Sequence, residues 1–175
     1  PPLRIRGREL EGGQLVIPGN VSSQYVSALL MIAPILTKGL DLKLTGEIVS
    51  RPYIDLTLHI MHEFGVAAEW TNFDTISVKP QQYTRRTYTI ENDWTASSYW
   101  YEILALQDDL DAEVVISGLK DGSRQGDAAV RYIFSLLGIK TNFARKDAEG
   151  LTDATLTRHT RMLNRMDYDF INHPD

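Results

Sequence analysis

Leu44–Gly65 reads LTGEIVSRPYIDLTLHIMHEFG, and Ile116–Gly138 reads ISGLKDGSRQGDAAVRYIFSLLG. Each begins at the end of an alternating strand, passes through a Ser-Arg pair and continues as a helix-period stretch that a glycine ends. Ser50-Arg51 lies over Ser123-Arg124, and Gly65 over Gly138, at an offset of about 73 positions. A repeat of that size marks a duplicated supersecondary unit.

The flanking sequence completes each copy. Before the first, Leu3–Arg6 and Gln14–Ile17 read as short strands, split by Gly12-Gly13 and closed by Pro18-Gly19. Ser22-Ser23 supplies capping chemistry for a helix in which Tyr25, Leu29, Ile32, Ala33 and Leu36 recur at helical spacing until Lys38-Gly39. Asp41–Leu44 alternates as a strand, and Arg51-Pro52 opens a helix with Ile54, Leu58, Met61 and Phe64 on one face. Ala67–Trp70 and Thr75–Val78 close the unit as strands. The second copy is predicted as a strand at Thr87–Ile90, a helix through Tyr99, Trp100, Ile103 and Leu104, a strand at Glu113–Ser117, a helix capped by Asp127, and strands at Thr141–Ala144 and Leu151–Leu156. The expected fold class is α/β (α+β), a repeated βαβαββ unit. The polar run Gln81–Arg86 separates the copies, which places one domain over residues 1–86 and another over residues 87–175.

Composition narrows the function classes. Of 175 residues, 43% are hydrophobic and 23% charged, a balance that can bury a core. The net charge of −5, with dispersed basic residues, argues against nucleic acid or an anionic membrane as partner, so any anion site must be local. The absence of cysteine excludes disulfides, thiolate zinc sites and a cysteine nucleophile, and is compatible with a cytoplasmic location. Ala28–Leu36 is the longest apolar stretch; Pro34 interrupts it, and it is far shorter than the roughly 20 residues a membrane helix needs. Neither a transmembrane segment nor a signal peptide is expected. Pro1-Pro2 without an initiating Met, and Asp175 directly after Pro174, read as the ends of an internal fragment.

Several segments then resemble one family. Gly19–Leu30, with its Ser22-Ser23-Gln24 helix start, is similar to the S-S-Q element of the EPSP synthases, a family of enolpyruvyl transferases, and Ser50-Arg51-Pro52-Tyr53-Ile54-Asp55 to their S-K/R-P-Y-x-D element. Asp93–Tyr99 resembles the family's G-D-A-S-S-A-S-Y stretch, with Asn92 and the bulky Trp94-Thr95 as departures, and Ser123–Asp127 matches S-x-Q-G-D. Asn172-His173-Pro174-Asp175 looks like N-H-I-P-D with one residue missing. These segments cover nearly the whole chain, and about two-fifths of such an enzyme. The resemblance implies the inverse αβ barrel, two domains each of three βαβαββ units; residues 1–86 would be the last unit of one domain and residues 87–175 the first of the other.

Taken alone, Ser22 and Ser23 read as a plain helix cap. The resemblance turns them into a phosphate site at a helix N-terminus, with Ser50 and Tyr53 adding hydroxyl donors. By the same resemblance Gln24 reaches both substrates, whereas by itself it is an exposed helical glutamine. Asp175, by itself a solvated carboxylate, becomes the proton acceptor for the attacking hydroxyl. The implied substrates are shikimate 3-phosphate and phosphoenolpyruvate, the implied reaction is enolpyruvyl transfer, no metal or organic cofactor is required, and the full-length enzyme is expected to be monomeric. The family's phosphoenolpyruvate-binding Arg and Lys residues match no position here, so the fragment alone is expected to be inactive. Transfer to UDP-N-acetylglucosamine on the same fold is the alternative enzyme, and a non-catalytic repeat module the alternative class. His59 and His62 share a helix face at a metal-compatible spacing, but with no third ligand evident they read as solvated.

Overall fold

The computed structural model describes residues 2–145, 148, 150–160, 163 and 165–173, and the chain divides into two compact units, residues 1–86 and 87–175. In the first unit the order is β1 (Gly13–Pro18), α1 (Ser23–Ile32), β2 (Leu40–Thr45), α2 (Arg51–Glu63), β3 (Ala68–Trp70) and β4 (Thr75–Val78). Pro34, which lacks an N–H, ends α1 early, and the helical pattern read on to Leu36 finishes as a 3-10 turn over Ala33–Ile35. The sheet order is β1-β2-β4-β3. β1 and β2 run parallel from Gly13↔Leu40 to Pro18↔Thr45, while β4 is antiparallel to both β2 and β3.

Strict alternation in β2 decides which face is covered. Leu40, Leu42 and Leu44 are buried, and Asp41, Lys43 and Thr45 are exposed. The leucines meet Val26 and Leu30 of α1 and Ile54, Leu58 and Met61 of α2, so both helices cover one face of the sheet. Residues 2–12 form no strand: Leu3 and Ile5 are 92% and 89% exposed, and among the described residues β1 is an edge that pairs with β2 alone. The expected strand at Leu3–Arg6 is therefore a correction, since alternation without a pairing partner does not make a strand.

The second unit repeats this frame with α3 (Trp94–Leu106), β5 (Glu113–Lys120), a 3-10 turn at Gly126–Ala129, α4 (Val130–Leu136), β6 (Ile139–Arg145) and β7 (Leu151–Arg158). The sheet order β5-β7-β6 is that of β2-β4-β3. Trp94, Tyr101, Leu104, Leu119, Ile139 and Leu156 form the core; the Tyr101 hydroxyl bonds Thr141 at 2.9 Å, and burial raises its pKa.

The counterpart of β1 is missing. The strand expected at Thr87–Ile90 does not form; the segment is anchored just after it, where Asn92 Nδ2 donates to the Ser117 carbonyl at 2.8 Å and Gln125 Nε2 to the Asn92 carbonyl at 2.9 Å. β5 also shifts register between Ser117 and Leu119, with Gly118 at φ 78°. One trace of the repeat survives there. Gly19 N–H donates to the Thr45 carbonyl and Asn92 N–H to the Gly118 carbonyl, each at 2.7 Å and displaced by 73 residues at both ends. Asp127 does not cap α4 either. Its buried carboxylate accepts from the Thr95 hydroxyl on α3, a donor that the 3-10 turn brings within reach.

Leu42 is fully buried at the centre of the first sheet. Leu42→Ala should cost about 2–5 kcal/mol, whereas Val16→Ala on the exposed β1 should stay within about 0.5 kcal/mol. Urea unfolding followed by far-UV circular dichroism checks both, and equal effects would contradict the assigned core.

Candidate anion site at paired helix starts

Because β1 and β2 are parallel, both end at the same sheet edge, and the helices that follow them both begin there. The two connecting loops are tied together. Gly19 N–H bonds the Thr45 carbonyl at 2.7 Å, and Val49 N–H bonds the Gly19 carbonyl at 3.2 Å. A side chain at Gly19 would place its Cβ 2.7 Å from the Glu47 carbonyl oxygen, so only glycine allows this approach. Further along, the Ser27 and Thr57 hydroxyls share a bond of 2.7 Å, and Thr57 Oγ1 donates back to the Tyr53 carbonyl at 2.9 Å.

At the start of α1, Ser22 accepts from Gln24 N–H through its hydroxyl at 3.3 Å and from Tyr25 N–H through its carbonyl at 3.0 Å. Ser22 and Gln24 are exposed, and Ser23 is half-buried. At the start of α2, Ser50 is buried and makes no side-chain capping bond. It is the one non-glycine residue at positive φ among the described residues, with φ 54° and ψ 36°. For a residue with a Cβ this conformation costs on the order of 1–3 kcal/mol. Tyr53 follows one turn on, half-buried, with its N–H on the Ser50 carbonyl at 3.1 Å. Neither helix has an acidic residue in its first turn, so two positive helix ends lie side by side uncompensated. Hydroxyls and backbone N–H groups so arranged can hold an anion without a lysine or arginine. The Arg51 guanidinium is engaged elsewhere, 3.8 Å over the Trp70 ring and donating to the Phe73 carbonyl at 2.8 Å.

The equivalent helix start in the second unit is closed. Asp93 accepts from Thr95 N–H at 2.8 Å, and Gln125 Oε1 accepts from Trp94 N–H at 2.9 Å. A carboxylate occupies the place an anion would take. The segment leading to Asn172-His173 folds back within this unit, where Phe170 and His173 line a cavity of about 300 Å³ with Thr95, Ser98, Glu102 and Asp127. Asp175 lies outside the described residues. The structure therefore brings Ser22, Ser23, Gln24, Ser50 and Tyr53 onto one edge of one unit.

Sequence reasoning missed the Gly19 approach, the Arg51–Trp70 stack and the closure by Gln125. Only the spacing of Arg51 and Asp55, one helical turn apart, hinted at a shared partner.

Compared with known proteins, residues 1–168 match the family EPSP synthase (3-phosphoshikimate 1-carboxyvinyltransferase). The chain belongs to the EPSP synthase family. The 3-phosphoshikimate 1-carboxyvinyltransferase of Bacteroides fragilis (strain ATCC 25285) is 49% identical over 175 residues, which are 100% of this chain and 41% of that protein. The protein of the same name from Marinomonas sp. (strain MWYL1) is 34% identical over 177 residues, covering 100% of this chain and 39% of its own length. The chain thus spans about two-fifths of the curated relatives it matches. A solved EPSP synthase from Acinetobacter baumannii aligns with a TM-score of 0.58 at 16% identity, over 87% of this chain and 32% of that one. That likeness carries the fold, and the repeated units described above are the enolpyruvyl transferase architecture of the EPSP synthase family.

The left-handed Ser50 gives a direct test of strain at this edge. Ser50→Gly should stabilise the chain by about 0.5–1 kcal/mol, since glycine adopts positive φ freely but loses some of that gain to its more flexible unfolded state. Urea midpoints of the two proteins check it, and a destabilised glycine variant would contradict the strain.

Proposed function

We propose that this chain is the middle part of a transferase that moves the enolpyruvyl group of phosphoenolpyruvate to the 5-hydroxyl of shikimate 3-phosphate, in aromatic amino acid biosynthesis. The observation that carries the reading is the pair of acid-free helix starts with Ser22, Ser23 and Ser50 on one edge. Family membership supports it, as do relatives that bear the name of this activity. In this reading residues 1–86 end one domain and residues 87–175 begin the other. The complete enzyme is monomeric and cytoplasmic; among the described residues no helix is long and apolar enough to cross a membrane.

The roles follow from chemistry. Ser22 and Ser23, with Ser50 and Tyr53, hold the 3-phosphate of shikimate 3-phosphate through charge-assisted hydrogen bonds. Gln24 reaches both substrates. Asp175 takes the proton of the 5-hydroxyl as that oxygen bonds to C2, the phosphate-bearing enol carbon of phosphoenolpyruvate, because an unactivated alcohol is a poor nucleophile. The methylene carbon gains a proton, giving a tetrahedral adduct. Loss of phosphate and of a methyl proton from that adduct restores the double bond, and neither metal nor organic cofactor is needed.

The 3-phosphate does not react, so its contacts are largely equal in ground and transition state and act on KM more than on kcat. In the complete enzyme, Ser23→Ala should raise the KM for shikimate 3-phosphate about 10- to 150-fold, the range for one hydrogen bond to a charged group. The KM for phosphoenolpyruvate should change much less. Asp175→Asn should show the opposite pattern, with kcat down about 100-fold or more and binding largely retained. Steady-state kinetics on both variants decides: an unchanged KM in the first or an unchanged kcat in the second contradicts the roles. Binding of UDP-N-acetylglucosamine in place of shikimate 3-phosphate would assign the sister reaction.

A further inference from the structure

The left-handed Ser50 needs something to hold it, and the contacts on either side of it differ in kind. Upstream, Val49 N–H is bonded to the Gly19 carbonyl. Downstream, the first turn of α2 is gripped by a side chain from another element. Arg51 and Asp55 lie one turn apart on α2, and both take hold of Trp70 at the end of β3. The Arg51 guanidinium stacks 3.8 Å over the ring, and Asp55 Oδ1 accepts from Trp70 Nε1 at 2.7 Å. Arg51 also donates to the Phe73 carbonyl at 2.8 Å, in the turn that follows β3. A strongly cationic side chain immediately beside the anion site is thereby committed to an aromatic face and a carbonyl, and the helix start is fixed in position and rotation.

We propose that Trp70 is a positioning residue for the anion site: by clamping Arg51 and Asp55 it keeps Ser50 left-handed and its uncapped hydroxyl beside the α1 start. The proposal rests on the reading of that edge as the shikimate 3-phosphate site. Trp70 itself touches no substrate. Its influence passes through the backbone of one strained residue, so removing the Ser50 hydroxyl must cancel the effect of removing the clamp. The competing possibility, that Arg51 swings onto the phosphate, predicts dependence on Arg51 whatever residue stands at position 50.

The test is a double-mutant cycle in the complete enzyme, with Trp70→Leu made alone and with Ser50→Gly. Trp70→Leu alone should raise the KM for shikimate 3-phosphate about 10-fold, the scale of one misplaced hydrogen bond to a charged group. Both kcat and the KM for phosphoenolpyruvate should stay within about 2-fold. Added to Ser50→Gly, it should have no further effect. An equal loss in both backgrounds, or no loss in the first, overturns the proposal. Trp70→Phe, which keeps the aromatic face and removes only the N–H to Asp55, makes the same comparison if the leucine variant does not fold. A ligand-free measurement separates this proposal from the functional reading: the 13C shifts of Ser50 report its backbone conformation. They should move out of the left-handed range in Trp70→Leu, and a Ser50 that stays left-handed overturns the clamp. If the shifts move but the wild-type enzyme does not bind shikimate 3-phosphate, the clamp stands and the functional reading has failed.

Discussion

Parallel pairing of Gly13–Pro18 with Leu40–Thr45 is the constraint from which the rest of the first unit follows. Two parallel strands need a crossover, and α1 provides it by covering the same sheet face that α2 then shares. Both strands deliver the chain to the same edge, so both helices start there, and the bonds through Gly19 draw the starts together. Backbone dipoles and hydroxyls converge without any long charged side chain having to reach the spot. Had β2 run antiparallel to β1, the two starts would lie at opposite ends of the sheet.

The two units show how little needs to change for one frame to acquire or lose such an edge. Both have a helix after the first segment of the repeat, and both keep the bond that ties the preceding turn to the neighbouring strand. In the first unit the helix begins with serines and glutamine. In the second, Asp93 and Gln125 satisfy the leading N–H groups from within the protein, and Asp93 adds a negative charge. Desolvating a phosphate beside that carboxylate would be unfavourable, so the second edge serves packing. The bulky Trp94 fits this division, since it is fully buried against a partly buried Phe143.

Much of this frame was legible because it depends on local periodicity. The alternation in Asp41–Leu44 and the helical spacing of Ile54, Leu58 and Met61 mark faces that must be buried, and the structure buries them. Where the reading failed, the deciding contact lay far away in the chain. Thr87–Ile90 has the composition of a strand, but it forms no ladder, and the segment is instead anchored at Asn92 by side-chain bonds to Ser117 and from Gln125. Asp127 has the right type and place for a cap, yet Thr95, 32 residues earlier, is a nearer donor. The serines of the candidate site could be quoted from sequence, but the strain at Ser50 could not, because nothing local requires a serine to be left-handed. Nothing local in the Ala67–Trp70 strand marks Trp70 for a special role; its stack on Arg51, 19 positions earlier, is what gives it a specific neighbour.

Among the described residues each sheet draws its strands from one unit, and in the first unit the last of them in chain order, β4, ends at Val78. During synthesis, then, the four strands of the first sheet are all available once that residue has emerged from the ribosome, whether or not the second unit has yet folded. Among the described residues no β-ladder joins one unit to the other, which shortens the interval during which either sheet stands open and half-built. A duplicated architecture of this kind can be made one unit at a time, which favours vectorial folding and limits the misassembly that long-range strand exchange would invite.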